Sequence, residues 1–349
     1  MVAPPYFDIP PAGYGGVEAV VADLTDGLIA AGHTVTLIGA GRNGTQAEMV
    51  SVWPGSVADR LGDPSIEVEN ALLTRRAVER LIALRGVDVV HDHTYGGPLN
   101  AMVYRDLGVP TVITAHGPVH NEGRVYYRAL GTDVKLISIS RNQRRLAPEL
   151  NWISTVYNGL RPQDWPYAES KQDYALFLGR YHPNKGAHLA VEAAHKAGLP
   201  LIMAGKRAEP IERQYFEEVI KPMLGPDDVA MGIADAVQKR ELLVNARCLL
   251  FPVLWEEPFG MVMIESMVCG TPVVALRSGS VAEVVENGVT GVVCDDPDDL
   301  PQALHDVTAV DPAACRRRVT ELFSAKTMAR GYAEAYQLAA RSRSRLAYA

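Results

Sequence analysis

The sequence predicts an α/β protein built from two doubly wound domains with parallel sheets. Short apolar runs alternate with amphipathic helical patterns along the whole chain, which is typical of parallel architecture. The length of 349 residues is enough for two domains with separate cores. A polar, turn-rich stretch at residues 158–173 interrupts this rhythm. We therefore predict domains at residues 1–158 and 159–325, followed by a C-terminal segment at residues 326–349.

In the first half, apolar residues at helical spacing predict a helix over residues 17–31, which Gly32 ends as a left-handed cap. The buried strands predicted in this half lie at residues 33–38, 87–90, 111–114 and 134–139. The opening Met1-Val2-Ala3 reaches a pair of prolines almost at once. The first strand is therefore either very short or incomplete at its start, and the sequence leaves both alternatives open.

In the second half, the same rhythm restarts after the polar stretch. The predicted strands lie at residues 175–178, 199–204, 229–231, 248–253, 272–276 and 291–294. Helices are predicted over residues 211–224 and 237–246, and a final helix runs from Phe323 to about residue 341. Two such sheets that face each other leave a cleft between the carboxyl ends of their strands, where open parallel sheets bind ligands.

The composition argues against several classes of protein. A net charge of −7 and a pI near 5.8 provide no overall basic field for nucleic acid or anionic lipid. The four cysteines lie in the second half without C-x-x-C spacing, which indicates reduced, buried thiols. No apolar run is long enough to cross a bilayer, and no signal peptide opens the chain. We predict a cytoplasmic protein with no nucleic-acid partner, and its composition is compatible with peripheral membrane contact.

The strongest chemical signal is the segment from Glu257 to Glu265, which reads Glu-Pro-Phe-Gly-Met-Val-Met-Ile-Glu. Pro258 suits the first position of a helix, and the free amides at such a helix start bind phosphate. The predicted phosphate-binding amides are those of Phe259, Gly260 and Met261. Glu265 then lies about 10 Å further along the helix axis. Because carboxylates suit hydroxyl-rich groups, this order matches a sugar, a diphosphate and a ribose. The alternative is an ordinary capped helix with two surface carboxylates.

The segment from Glu257 to Ala275 resembles the E-x7-E signature of the family 4 glycosyltransferases, and the likeness continues over nearly the whole chain. The resemblance implies the GT-B fold, in which two Rossmann-like, doubly wound domains face each other across a cleft. It also implies that the last helix crosses back and packs on the N-terminal domain.

The same resemblance assigns residues to a nucleotide-sugar donor. Residues 178–186 resemble the family's strand-to-helix loop, in which Arg180 and Lys185 bind the donor diphosphate. A guanidinium and an ammonium are suited to neutralise that leaving group. Gly13-Tyr-Gly-Gly16 resembles the glycine loop that closes over the donor. The remaining expected donor contacts are Gly15 and Gly16 in that loop, His116 at the donor sugar, and Gly205 and Ile233 near the base.

The implied reaction is transfer of a sugar from a UDP- or GDP-sugar to a hydroxyl acceptor, with retention of anomeric configuration and without a cofactor. The implied catalytic residues are His116, Arg180, Lys185 and Glu257. The C-terminal domain would hold the donor, and the N-terminal domain the acceptor, whether a small molecule, a glycan or a lipid-linked group. The alternatives are another GT-B nucleotide-sugar enzyme, such as an epimerase, and a catalytically silent protein that binds sugar nucleotides.

Two other patterns point to different chemistry, and we set both aside. Residues 39–44 read G-x-G-x-x-G after a strand, as in dinucleotide-binding proteins, but residues 45–53 do not open the helix which that motif needs. His91-Asp92-His93 could hold a metal ion. Because side chains alternate along an extended segment, we expect the two imidazoles to point apart, and we predict no required metal.

Overall fold

The computed structural model describes the backbone of residues 1–346 and the side chains of residues 1–341. The chain forms two compact units. Unit 1 comprises Met1–Gly159 together with the helix that begins at Ala325, and unit 2 comprises Leu160–Ser324. In both units the paired strands run parallel and helices connect them, so the predicted α/β architecture is confirmed.

Unit 1 contains parallel strands, and a single residue stands in the place of its first strand. The strands are β1 Thr36–Gly39, β2 Glu48–Ser51, β3 Val90–Asp92, β4 Thr111–Ala115, β5 Val134–Ser138 and β6 Trp152–Thr155. The helices are α1 Gly16–Ala30, α2 Pro64–Arg85, α3 Ala101–Asp106, α4 Glu122–Ala129 and α5 Arg141–Leu146. β1 pairs with β2, and β3 to β6 pair in sequence order. Val2 bridges Ile38 of β1 and Asp92 of β3, so this single residue takes the place of the first strand.

The strand predicted at residues 87–90 begins later than expected, because β3 covers Val90–Asp92. Its neighbours explain the shift: Val90 is the first residue with a partner in β4, and Val2 contacts the ladder at His91 and Asp92. Residues 45–53 contain β2 and no helix, which confirms that the G-x-G-x-x-G pattern lacks its dinucleotide-binding context.

The last helix, α14 Ala325–Leu346, belongs to unit 1 and packs along α1. The two helices approach closely at Gly27, where an added Cβ would lie 3.0 Å from both the Ala325 carbonyl and the Ala329 methyl group. The last three residues of the predicted C-terminal segment, 347–349, lie outside the described residues.

Unit 2 contains a second parallel sheet, with strand order β12-β11-β10-β7-β8-β9. Its strands are β7 Ala175–Leu178, β8 Leu201–Ala204, β9 Val229–Met231, β10 Cys248–Phe251, β11 Val273–Leu276 and β12 Gly291–Cys294. Its helices are α6 Ala187–Lys196, α7 Pro210–Tyr215, α8 Lys221–Met223, α9 Ala236–Asn245, α10 Met261–Val268, α11 Val281–Val284, α12 Leu300–Asp306 and α13 Pro312–Leu322. A π-helical segment at Phe216–Ile220 joins α7 to α8. The carboxyl ends of all these strands lie at one edge of the sheet.

The polar stretch at residues 158–173 is not a free linker over its whole length. Arg316 of α13 donates hydrogen bonds to the carbonyls of Pro162 and Trp165. The half-buried Lys171 donates from its ammonium group to two backbone carbonyls and to the Thr271 hydroxyl. These bonds fix most of the stretch to unit 2. Most of the acceptors are backbone carbonyls, which a periodic pattern of side chains does not reveal.

Two expectations from composition are met within the part of the chain that the structure describes. The four cysteines, Cys248, Cys269, Cys294 and Cys315, are buried and free of disulfides. No described helix is both long and apolar enough to cross a bilayer.

Candidate functional site

The predicted diphosphate ligands of unit 2 follow β7, the strand at the middle of its sheet. Arg180 lies two residues beyond β7, and its Nη1 lies 3.4 Å from Oε1 of Glu212. Glu212 is fully buried and also accepts the backbone N–H groups of Ala208 and Glu209 at 2.9 and 3.1 Å. This carboxylate therefore anchors the guanidinium at the sheet edge. Glu212 was not predicted from the sequence, although Glu209-Pro-Ile-Glu212 carries the capping-box pattern that places it.

Lys185 forms an ion pair with Glu257, the first carboxylate of the E-x7-E segment. Its Nζ lies 2.5 Å from Oε2 of Glu257, and the indole N–H of Trp255 donates to the same oxygen at 2.8 Å. The Lys185 ammonium also lies 5.0 Å from the centroid of the Trp255 ring. Both side chains of the ion pair are largely buried, so solvent screens this pair weakly. The predicted phosphate ligand and the predicted sugar ligand are therefore direct neighbours.

The helix after Glu257 begins at Met261, not at Pro258 as predicted. Gly260 is its N-cap in the left-handed region at φ 76°, a conformation that favours glycine. The main chain before it is held by residue 280, since Ser280 donates its N–H to the Glu257 carbonyl and its hydroxyl to the Phe259 carbonyl. The helix therefore starts three residues later than predicted, after the left-handed Gly260. The Phe259 side chain is buried.

Glu265 consequently lies closer to the helix start than expected, about 6 Å along the axis from Met261 instead of about 10 Å. Its carboxylate is mostly buried and accepts from Lys239 Nζ at 2.8 Å. The Lys239 ammonium in turn lies 5.5 Å from the centroid of the Trp165 ring. Neither Lys239 nor Trp165 was predicted, because both come from segments distant in sequence: Lys239 lies on α9, which packs beside α10, and Trp165 lies in the polar stretch before β7.

The two remaining predicted contacts of unit 2 follow β8 and β9. Gly205 donates its N–H to the Gly232 carbonyl at 3.1 Å, and an added Cβ would overlap the Gly179 carbonyl. Ile233 is 54% exposed, which is high for a large apolar side chain. Since β10, β7, β8 and β9 are adjacent and parallel, one sheet edge brings together the predicted residues of unit 2.

The predicted glycine loop of unit 1 leads from Val2 to the start of α1. Gly15 caps this helix at φ 137°, and Gly16 is its first residue, with open space where a side chain would be. Behind the loop, Glu18 is 3% exposed, and loss of hydration raises the pKa of its carboxyl from 4.5 to about 7. The first turn of α1 thus carries a buried acid that ionises near neutral pH, well above the usual range of a glutamate.

Three histidines cluster where β3 and β4 end. Nδ1 of His93 lies 2.8 Å from Nε2 of His116, and the rings of His91 and His93 are 3.9 Å apart. The expectation that His91 and His93 point apart is therefore wrong, because positions i and i+2 of a strand share one face. Burial lowers the pKa of His116 to about 4 and holds the pKa values of the other two well below 6.5. All three rings are neutral at physiological pH.

Hydrogen bonds tie this cluster to α14. His91 Nδ1 lies 2.7 Å from the Tyr336 hydroxyl, and His91 Nε2 lies 2.8 Å from the Thr114 hydroxyl. Thr114 is itself 2.7 Å from the Tyr332 hydroxyl. Within the described residues, no three His, Cys, Asp or Glu side chains form a set that could hold a metal ion. What unit 1 offers is a group of neutral rings and hydroxyls.

Comparison with known proteins gives consistent matches over most of the chain. Residues 14–163 match the family described as Glycosyltransferase Family 4, and residues 163–310 match Glycosyl transferases group 1. Alpha-maltose-1-phosphate synthase of Mycobacterium tuberculosis is 28% identical, over 89% of this chain and 90% of that protein. Glycogen synthase of the same organism is 27% identical, over 96% and 94% of the two chains. The structure of AviGT4, a glycosyltransferase involved in avilamycin A biosynthesis, matches with a TM-score of 0.71 at 28% identity and covers 96% of both chains. The predicted GT-B fold class is thereby confirmed.

Proposed function

Since the chain belongs to the family 4 glycosyltransferases, enzymes that use nucleotide-sugar donors, we propose that it transfers a sugar from a UDP- or GDP-sugar to a hydroxyl acceptor with retention of configuration. The observation that carries this proposal is the edge of the unit 2 sheet. Arg180, Lys185 and the start of α10 gather positive charge and backbone amides there, with Glu257 and Glu265 beside them.

The arrangement suits the parts of a nucleotide sugar in order. Arg180 and Lys185 would neutralise the diphosphate together with the amides of Gly260 and Met261. Glu257, adjacent to Lys185 at 2.5 Å, would bind a hydroxyl of the donor sugar. Glu265 would accept from the ribose hydroxyls.

In the proposed reaction, the bond between the anomeric carbon and the diphosphate oxygen breaks while the acceptor oxygen attacks from the same face. The acceptor proton passes to the departing diphosphate. Arg180 and Lys185 stabilise the negative charge that develops there, and the Glu257 carboxylate stabilises the positive charge that grows at the anomeric carbon. No metal ion is required in this scheme, since the two cations and the helix amides supply the neutralisation.

A ligand panel followed by product analysis tests the proposal. Thermal unfolding is measured with UDP, GDP, ADP and their glucose or mannose conjugates, because a ligand of the folded state raises apparent stability by mass action. The most stabilising nucleotide sugar is then incubated with the protein, and release of free nucleoside diphosphate is followed together with the anomeric configuration of the product. Release with an unchanged configuration is expected. Stabilisation without turnover would indicate a silent binding protein, and rearrangement of the sugar without net transfer would indicate an epimerase.

A further inference from the structure

His93 has no role in the scheme so far, yet it makes the direct contact with His116. The two residues follow the adjacent strands β3 and β4, and Nδ1 of His93 lies 2.8 Å from Nε2 of His116. At that distance one nitrogen donates and the other accepts. The pair therefore shares one proton along this contact, and the tautomers of the two rings are coupled.

The other nitrogen of His93 shows which ring donates. His93 is 5% exposed, and its Nε2 is buried without a hydrogen-bond partner among the described residues. Buried N–H groups without a partner are rare in proteins. Nε2 of His93 is thus the unprotonated nitrogen. Nδ1 carries the proton, and this N–H group donates the hydrogen bond to Nε2 of His116.

The surroundings hold His93 in this orientation. The ring of His91 lies against it at 3.9 Å, and both nitrogens of His91 are already bonded, to Tyr336 and Thr114. On its other side His93 meets His116 edge to edge, with 5.1 Å between the ring centroids and 29° between the ring planes. A rotated His93 ring would lose the hydrogen bond to His116.

We propose that His93 is a positioning residue that fixes His116 as the tautomer with its proton on Nδ1. His116 then presents a neutral N–H donor, and its Nε2 is occupied and does not accept a proton from substrate. The recipient is a hydroxyl oxygen of the donor sugar, a part of the inference that rests on the proposed function. A role for His116 as a hydrogen-bond donor also agrees with transfer of the acceptor proton to the departing diphosphate.

The tautomer is measured directly by nitrogen NMR of protein labelled with ¹⁵N-histidine, with the His116 signals assigned by their loss in His116→Gln. In the wild-type protein His116 should be protonated at Nδ1 and unprotonated at Nε2. His93→Leu should move the proton to Nε2, the position that free histidine prefers. His93→Asn should keep it on Nδ1, because a carboxamide N–H can take the place of the Nδ1–H group. Protonation at Nε2 in the wild type, or no change in His93→Leu, would overturn the assignment.

Donor turnover tests the positioning role separately. In His93→Leu, the maximal rate of nucleoside diphosphate release from the nucleotide sugar should fall about tenfold, the scale of one lost hydrogen bond at a reacting group, while the affinity for free nucleoside diphosphate is unchanged. His93→Asn should recover most of the rate, and His93→Leu should add no further loss to His116→Ala. Additive losses in that double variant would refute the role.

The outcomes remain distinguishable from failure of the proposed function. If the wild-type protein releases no nucleoside diphosphate from any donor, the proposed function fails while the NMR result still decides the tautomer. Should His93→Leu not fold, His93→Gln replaces it, because its amide lies at the Nε2 position and does not reproduce the donor at Nδ1.

Discussion

In unit 2 the candidate side chains form ion pairs. In unit 1 they are neutral imidazole rings and hydroxyl groups that are joined by hydrogen bonds. Lys185 pairs with Glu257, and Lys239 pairs with Glu265. The corresponding contacts of unit 1 join His93 to His116 and His91 to Thr114, and burial keeps these imidazoles uncharged. The charge pairs suit the diphosphate site proposed for unit 2, since a diphosphate needs cations.

The charge pairs of unit 2 also imply an exchange of partners. If a diphosphate bound Lys185 as proposed, Glu257 would keep the hydrogen bond from the indole N–H of Trp255, which is 2.8 Å long, and its carboxylate would stay held beside the sugar. No comparable exchange is expected in unit 1, where neutral groups pair with one another. Variants in both units test this contrast.

Replacing the sugar-side carboxylate should have the largest effect. Glu257→Gln should lower the maximal rate of donor turnover by ~10²-fold or more, because the charge that stabilises the growing positive centre is lost. Affinity for the free nucleoside diphosphate should not fall, since the substitution also frees Lys185 from its partner. Titration calorimetry and steady-state kinetics measure the two quantities.

Glu265→Gln is the matched counterpart on the same helix. In the proposed binding mode Glu265, which pairs with Lys239 and lies four residues beyond Met261, would contact the ribose, a part of the donor that does not react. Affinity for nucleotide and for donor should therefore fall together, with little change in the rate at saturation. If Glu257→Gln loses nucleotide affinity while Glu265→Gln retains it, the donor lies in the opposite direction along the segment.

Removing either cation should weaken donor binding by ~1.5–3 kcal/mol, the scale of a hydrogen bond to a charged group. The variants are Arg180→Ala and Lys185→Ala, measured by calorimetry with the free nucleoside diphosphate. Arg277→Ala is the control, because this arginine of unit 2 pairs with Asp295 and is half exposed. Unchanged affinity in both test variants would mean that the phosphates bind elsewhere.

The neutral character of unit 1 has a pH signature at Glu18. The pKa of this carboxyl is about 7 in the folded chain, against an ordinary value of 4.5. The stability that the un-ionised form contributes is complete below pH 4.5 and is lost as the pH rises through 7. Glu18→Gln should therefore be more stable than the wild type at pH 8, by on the order of 3 kcal/mol, and equally stable at pH 4. Denaturant unfolding at the two pH values checks this, and a stability difference that is the same at both would exclude a buried, un-ionised acid.

Chelation should have no effect. The described residues contain no set of three metal-ligating side chains, and unit 2 already carries cations at the proposed diphosphate site. Donor turnover in EDTA should equal turnover in buffer alone. A loss that Mg²⁺ or Mn²⁺ restores would show that the cations of unit 2 are insufficient.

The fold was largely predictable because alternating apolar runs and helical stripes are local signals. Strands β7, β9 and β12 begin and end where the sequence predicts. The misplaced β3 depended on Val2, a partner distant in sequence. The start of α10 depended on the left-handed Gly260 and on hydrogen bonds from Ser280, neither of which periodicity reveals.

The residues of the candidate site also differ in whether a local pattern in the sequence reveals them. The groups proposed to touch ligand lie in short motifs after strands and could be named from the sequence. The groups that hold them could not, because Glu212, Lys239 and the tyrosines of α14 reach their partners only through tertiary packing. The reversed expectation for His91 and His93 came from the strand geometry itself and could have been avoided without a structure.

The position of α14 has a consequence for biosynthesis. Unit 2 is complete once Ser324 has been made, whereas unit 1 still lacks the helix that packs on α1 near Gly27 and supplies the hydroxyls of Tyr332 and Tyr336. Domains usually fold during synthesis in the order in which they emerge from the ribosome. Here synthesis begins with unit 1 and also ends with it. The face of α1 that packs on α14 therefore stays exposed in the nascent chain until the last helix has been made.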